Sequence, residues 1–279
     1  MKPLIGQGTA MILATIALVA TSIISMGIGA VSIPAGDVAW VLISHLPFSF
    51  GAEALDTVTH TIVWDIRLPR TILTILVGAA LATSGGVMQG FFQNPMADPY
   101  IVGISAGAGL GATTAFALGL DIWFMGLSAV TVLAFVCALA VTFTVYALSR
   151  RRGRVATGTL LLTGIAIGSL AASVTSFFLV MGGEDQRTIL FWLMGSFSAS
   201  RWDHILMMLP YVVLGFGVIL VFSRDLNVLL LGDEQAAHLG VNVERVKLVL
   251  LIASSCLAAS AVAVSGVIGF VGLIVPHLV

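Results

Sequence analysis

The sequence predicts an all-α fold, a polytopic transmembrane helix bundle, from three observations. Hydrophobic residues make up 59% of the 279 positions and charged residues only 9%, whereas an average soluble domain is roughly 25% charged. The charges are clustered, leaving charge-free runs between Arg70 and Asp98, Asp98 and Asp121, Asp121 and Arg150, Arg154 and Glu184, Asp203 and Arg224, and Lys247 and Val279. Each run approaches or exceeds the ~20 residues a helix needs to cross ~30 Å of hydrocarbon. Small residues also recur four apart: Gly78, Ala82, Gly86 and Gly90; Gly103, Gly107 and Gly111; Gly164 and Gly168. That spacing lines one helix face and lets neighbouring backbones approach in lipid, where no hydrophobic drive holds helices together.

Backbone polar groups in lipid must be paired within the segment, so these runs read as helices; lipid-facing strands would alternate over about ten residues. The first run, Thr9 to Val31, is longer than the 7 to 15 apolar residues of a signal peptide and reads as a retained span. With it the count is about seven complete spans, and the run after Lys247 begins an eighth. Residues 32–70 read as an extramembrane region containing Pro34, Pro47 and Pro69. The apolar stretch 186–202 reads as a half-helix folding back into the membrane, and 224–247 as a second extramembrane region. Residues 1–279 read as a single transmembrane domain. With the N-terminus cytoplasmic, Lys2, Arg150, Arg151, Arg152, Arg154, Arg224, Arg245 and Lys247 lie inside. Only Arg67, Arg70, Arg187 and Arg201 then lie outside, as the positive-inside rule requires.

Composition excludes several functions. Twelve Lys plus Arg against 13 Asp plus Glu give a net charge of -1, with no basic footprint for nucleic acid. Cys137 and Cys256 are isolated in apolar runs and read as small core residues. His45, His60, His204 and His238 lack ligand spacing, and His277 sits beside Pro276 at a helix end, so no metal site is expected. No acid lies at mid-span, where a proton-coupled carrier keeps one. Neither does any span pair an Asp or His with a nucleophile, so no enzyme is expected. Gly107, Gly109 and Gly111 follow no predicted strand and read as helix packing, not a nucleotide loop. Energy is expected to enter from another subunit; the alternative is a secondary, ion-coupled transporter working without an ATPase, with sodium held by backbone carbonyls.

The stretch RLPRTILTILVGAALATSGGVMQGFFQNPMADPY at 67–100 resembles the iron-siderophore, haem and vitamin B12 permease family of ATP-binding-cassette importers, the FecCD type. GISAGAG at 103–109, LLLTGIAIG at 160–168, FWLMGSF at 191–197, LGDEQAAHLGV at 231–241 and SGVIGFVGLIVPH at 265–277 follow in the family's order and spacing. The resemblance implies a homodimer of ten-helix subunits with a pathway on the two-fold axis. Two cytoplasmic ATP-binding subunits would lie below it and a periplasmic or lipid-anchored binding protein above, in the cell (inner) membrane. The implied cargo is a chelated-iron complex, with haem or cobalamin behind it; no cofactor is implied. The chain stops just after the motif that opens the family's eighth helix, so the resemblance implies a C-terminally truncated subunit.

Taken alone, Arg67 and Arg70 fit either snorkelling and pairing with Asp65 or a grip on carboxylates. The resemblance makes them the docking pair for the binding protein. Similarly, it makes the segment Gly232, Asp233, Glu234, Ala236, Ala237, Leu239, Gly240 and Val241 the ATPase-coupling loop. There Asp233 can cap a helix, Ala236, Ala237 and Leu239 can form a small apolar face, and Gly240 can make the turn. Glu234, Glu244 and Arg245 can set register at its rim. Thr157 and Gly158 match an inner-gate position, though they also fit an ordinary helix start. The NPMADP stretch at 94–99 reads as a tight turn.

Overall fold

A computed structural model describes residues 6–45, 56–124, 126–151, 154–181 and 183–278. The described chain is overwhelmingly helical, with only two short two-stranded hairpins, Trp123–Phe124 with Leu127–Ser128 and Arg150–Arg151 with Arg154–Val155. In chain order the α-helices are α1 (Gln7–Gly27), α2 (Ala35–Ser44), α3 (Thr57–Thr61), α4 (Leu68–Phe92), α5 (Ile104–Ala117), α6 (Ala129–Ser149) and α7 (Thr157–Met181). They continue with α8 (Gln186–Leu193), α9 (Trp202–Val221), α10 (Ser223–Leu229), α11 (Asp233–His238), α12 (Val243–Ser265) and α13 (Val271–Leu278).

Six of the described helical segments are long and apolar enough to cross a membrane: Gly8–Gly27, Thr57–Phe92, Ala129–Ser149, Thr157–Met181, Trp202–Val221 and Val243–Ser265. One run expected as a span is shorter, and the run after Lys247 holds most of the span Val243–Ser265 and the beginning of another helix. The Asp98–Asp121 run is divided between a 3-10 turn, Pro99–Val102, and α5, whose 14 residues rise only roughly 21 Å. The run after Lys247 breaks at Gly266, where φ is +69°, and resumes as α13. The stretch expected to fold back as a half-helix holds α8, eight residues long.

The region expected to be extramembrane up to Arg70 differs in extent. Pro47 and Glu53 lie outside the described residues, but from Thr57 onward the chain is one continuous 36-residue helix reaching Phe92. Asp56 starts it by accepting the Val58 N–H. Between α3 and α4, residues Ile62–Arg67 form a π-helical turn in which the Leu68 N–H bonds the Val63 carbonyl. Pro69 supplies the reason, since it has no N–H to donate and its ring crowds the carbonyl four residues back, and a wider turn relieves both.

Contacts divide the chain into two compact units, residues 1–74 with 200–202, and residues 75–199 with 203–279. The first has a core of Met26, Ile33, Val38, Val41 and Val63, with Leu42, Ile62, Trp64 and Leu68 packed on it. His45 stacks on Trp64 at 3.5 Å and 8°, and Trp64 meets Trp202 at 5.5 Å.

In the second unit α12 is the hub, buried along most of its length. Ser254, Ser255, Ala258, Ala259, Ser260 and Ala261 are small enough to bring other helices close, and Ser84 donates a hydrogen bond to the Ser254 carbonyl at 2.9 Å. A Cβ at Gly107 would lie 2.6 Å from the Cys137 carbonyl oxygen, and one at Gly111 would collide with the Leu133 carbonyl, so α5 packs backbone to backbone on α6. On α4 the backbone-to-backbone contact is at Gly85, which meets Gly272; of the four-spaced row expected to pack, Gly90 is tight against the Leu226 side chain, Gly86 makes ordinary contact with Pro276 and Gly78 has open space around it.

The expected tight turn at 94–99 is tied to the α12–α13 break. Tyr100 Oη donates to the Ile268 carbonyl at 2.9 Å, and the Pro99 ring lies against Gly272. Asp98 caps the 3-10 turn by accepting the Tyr100 N–H at 2.8 Å. Burial pushes its carboxyl above the usual carboxylate range, and that hydrogen bond pulls it partly back.

Candidate docking and coupling sites

Arg67 and Arg70 stand at the junction of the π-helical turn and α4, one turn apart. Arg67 is only 9% exposed. Its Nη1 donates to the Met26 carbonyl at 2.6 Å and its Nη2 donates to the Val31 carbonyl. Met26 lies in the last turn of α1, whose carbonyls have no partner within the helix and carry the negative end of its dipole. The guanidinium therefore closes the end of α1. Gly29 makes room, because a Cβ there would sit 2.6 Å from Arg67 Nη2. Arg70 and Asp65 are exposed.

The loop 230–242 carries two left-handed glycines, Gly232 with φ +107° and Gly240 with φ +88°, on either side of α11. Gly240 makes the turn expected of it. Asp233 does not cap α11: Gly232 occupies the cap position with no side-chain bond, and the Asp233 carboxylate instead pairs with Lys247 Nζ at 2.5 Å. Ala236 is fully buried, whereas Ala237 and Leu239 are exposed, so the expected small apolar face is split between an inward anchor and an outward surface. Leu230 and Leu231 extend that surface. Glu234 and Arg245 are exposed, while Glu244 accepts the Val155 N–H at 3.3 Å. Thr157 and Gly158 open α7, with Gly158 exposed and open space where its Cβ would be.

Two residues at this site escaped the sequence reading. Lys247 was counted only as a positive charge, yet it is 3% exposed, with its ammonium 5.6 Å from the centre of the Phe91 ring. Gln93, just past α4, takes φ +50° and donates from Nε2 to the Leu229 carbonyl at 2.7 Å. The available signal for Lys247 was a single cation embedded in the apolar run VKLVLL; Gln93 gave none.

No group of three or more His, Cys, Asp or Glu able to hold a metal occurs among the described residues. Apolar spans packed through small residues, with a short helix pair set between two of them, define a multi-pass helical membrane protein. The chain belongs to the FecCD transport family, whose model matches residues 17–279. It is 45% identical over 92% of its length to the cobalamin import system permease protein BtuC of Halobacterium salinarum, covering 68% of that protein. It is 42% identical over 80% of its length to the hemin transport system permease protein HmuU of Yersinia pestis, covering 69% of it. Among solved structures, an inward-facing ABC transporter assigned to the metal-chelate type superposes with a TM-score of 0.80 at 31% identity, covering 96% of this chain and 79% of that one.

Proposed function

We propose that the chain is the transmembrane permease subunit of an ATP-binding-cassette importer and passes a bulky metal chelate across the cell membrane. The observation that carries this reading is the α10–α11 pair, which presents exposed Leu230, Leu231, Ala237 and Leu239 while Lys247 and Gln93 tie it to two spans. Such a surface has use only if another subunit pushes on it, and among the described spans acids occur only near the ends, as at Asp65, Asp203 and Glu244, with none at mid-span to couple a proton gradient. ATP hydrolysis then belongs to separate cytoplasmic subunits, two for a homodimer, with residues 1–279 forming one permease domain.

The N-terminus is cytoplasmic in this reading, which puts α10–α11 on the cytoplasmic side and Arg70 on the outer side, facing an extracytoplasmic binding protein. Arg67 holds the end of α1 behind it. The apolar exposed side of α7, with Leu162, Ile165 and Phe177, supports contact with a second copy, and Thr157 with Gly158 opens that helix at an inner gate.

The relatives named for cobalamin and hemin support a metal-chelate cargo over a free ion, alongside the ferric siderophore that the sequence motifs imply. The test is uptake into proteoliposomes holding the permease with its ATP-binding subunit, offered labelled cobalamin, haem and a ferric siderophore through the cognate binding protein. ATP-dependent accumulation of one of the three is expected. Accumulation driven by a sodium or proton gradient without ATP would overturn the reading.

A further inference from the structure

Helices α10 and α11 have seven and six residues, too short to hold themselves together in isolation. Gly232 and Gly240 border α11, both in backbone conformations that favour glycine. A short helix between two such joints would swing unless something fixed it, and two polar contacts do so.

The first contact is at α12. Lys247 is almost wholly buried and its ammonium reaches the Asp233 carboxylate at 2.5 Å, over the face of Phe91 at the end of α4. The ammonium is buried while the carboxylate is half-exposed, and the contact is directional, because a buried ammonium left without its partner is strongly disfavoured. The second contact is at α4. Gln93 adopts a left-handed backbone, uncommon for a residue other than glycine, and donates to the Leu229 carbonyl in the last turn of α10, which also accepts the Gly232 N–H at 3.0 Å, so the side chain of Gln93 reaches the joint where α11 begins. Leu226 of α10 also lies tightly against Gly90. Deeper in the bundle α4 is joined to α12 by the Ser84 bond to the Ser254 carbonyl and to α13 by the Gln89 bond to the Leu273 carbonyl.

We propose that Lys247 with Asp233, and Gln93 with the Leu229 carbonyl, are paired struts that make α10–α11 move as one piece with α4 and α12. Lys247 and Gln93 are positioning residues: they touch neither cargo nor nucleotide, and set how much displacement of the short pair reaches the spans. The inference rests on the reading that α10–α11 meet an ATP-binding subunit.

The test uses the assembled importer in proteoliposomes, with three readouts: co-purification of the ATP-binding subunit, ATP hydrolysis, and cargo taken up per ATP hydrolysed. Lys247→Met replaces the buried cation by an apolar side chain of similar length and leaves the half-exposed Asp233 carboxylate to solvent, so folding is expected to survive. Gln93→Asn suits the left-handed backbone but is too short to reach Leu229. Both variants are expected to retain the ATP-binding subunit and hydrolyse ATP, with uptake per ATP reduced about tenfold, equivalent to ~1.4 kcal/mol of lost coupling. The exchanged pair Lys247→Glu with Asp233→Lys is expected to recover part of that loss, which a purely space-filling role would not produce. Wild-type uptake per ATP in Lys247→Met overturns the proposal. Should that variant fail to assemble, unchanged coupling in Gln93→Asn overturns it. If the wild-type chain itself binds no ATP-binding subunit, the functional reading falls first.

Discussion

Arg67 Nη1 lies 2.6 Å from the Met26 carbonyl oxygen, so a side chain at the start of α4 closes the end of α1 forty-one residues earlier. The two arginines of the RLPR motif therefore differ in role although only three positions separate them. Arg67 is spent on backbone carbonyls; Arg70 is exposed.

Replacing Arg67 by Ala removes two charge-assisted hydrogen bonds and leaves carbonyls without their donor, a loss of roughly 3 kcal/mol when such bonds are worth ~1.5–3 each. Thermal unfolding of the detergent-solubilised protein should register it as a lower midpoint. Gly29→Ala should do the same by displacing the guanidinium, since its Cβ would lie 2.6 Å from Arg67 Nη2. Equal midpoints for both variants and wild type would refute the capping role.

The helices were legible because lipid leaves a chain little choice: charge-free runs of sufficient length must satisfy their own backbone. Which glycines pack closely was only partly legible. Gly107 and Gly111 meet α6, but on α4 the close backbone contact is Gly85 and not Gly86, since a spacing of four tells which residues share a face without telling which face is covered. Arg67's burial depends on carbonyls 36 and 41 residues away. The Lys247–Asp233 pair spans fourteen residues and a glycine joint. Neither distance matches a helical or strand period, so local spacing could not disclose them.

The glycine geometry makes a paired prediction. Gly111→Val pushes a side chain into the Leu133 carbonyl and should destabilise by at least ~2 kcal/mol, in the range of overpacked cores. Gly78→Ala meets open space inside a helix and should be neutral or stabilising by up to ~1 kcal/mol, the propensity difference between the two residues. Thermal midpoints of the two variants, purified side by side, provide the check. The same ranking reversed would mean that α5 does not pack on α6 as described.

Asp98 gives a pH signature. Its folded-state carboxyl is raised above 3.8 by burial, so the folded protein holds that proton more tightly than the unfolded chain. The associated stability is present below the unfolded value and is lost as pH rises from 3.8 through the folded value. Asp98→Asn keeps an acceptor for the Tyr100 N–H and cannot titrate, so it should be at least as stable as wild type at pH 7 and lack this part of the acid-range slope. Asp98→Ala loses the cap and should cost about 1 kcal/mol. Unfolding midpoints from pH 4 to pH 7 separate the three proteins.

Ala237 tests the coupling surface from its exposed side. Ala237→Glu places a charge on the patch shared with Leu239 without touching buried Ala236, so the permease should insert and fold while co-purification of the ATP-binding subunit and uptake both fall. Normal uptake by this variant would remove α11 from the subunit contact. Ala236→Glu, by contrast, should fail at folding, because it puts an unpaired carboxylate into a fully buried position.

The proposed docking of a binding protein rests on Arg70. An exposed charge pair gives about 0–1 kcal/mol, whereas one desolvated in an interface gives roughly 1.5–7 kcal/mol of coupling. Arg70→Glu should therefore weaken the binding protein's affinity measurably if the arginine is covered on docking, and hardly at all if it stays in solvent. A binding protein with the facing acid changed to Lys should recover part of the loss with Arg70→Glu and none with wild type. Affinity should also fall with added salt, because long-range steering is screened beyond a Debye length of ~8 Å at physiological ionic strength. Arg67→Glu is the informative control: it should lower the unfolding midpoint through loss of the α1 contact. A variant series in which Arg70→Glu binds as tightly as wild type at every salt concentration would end the docking assignment.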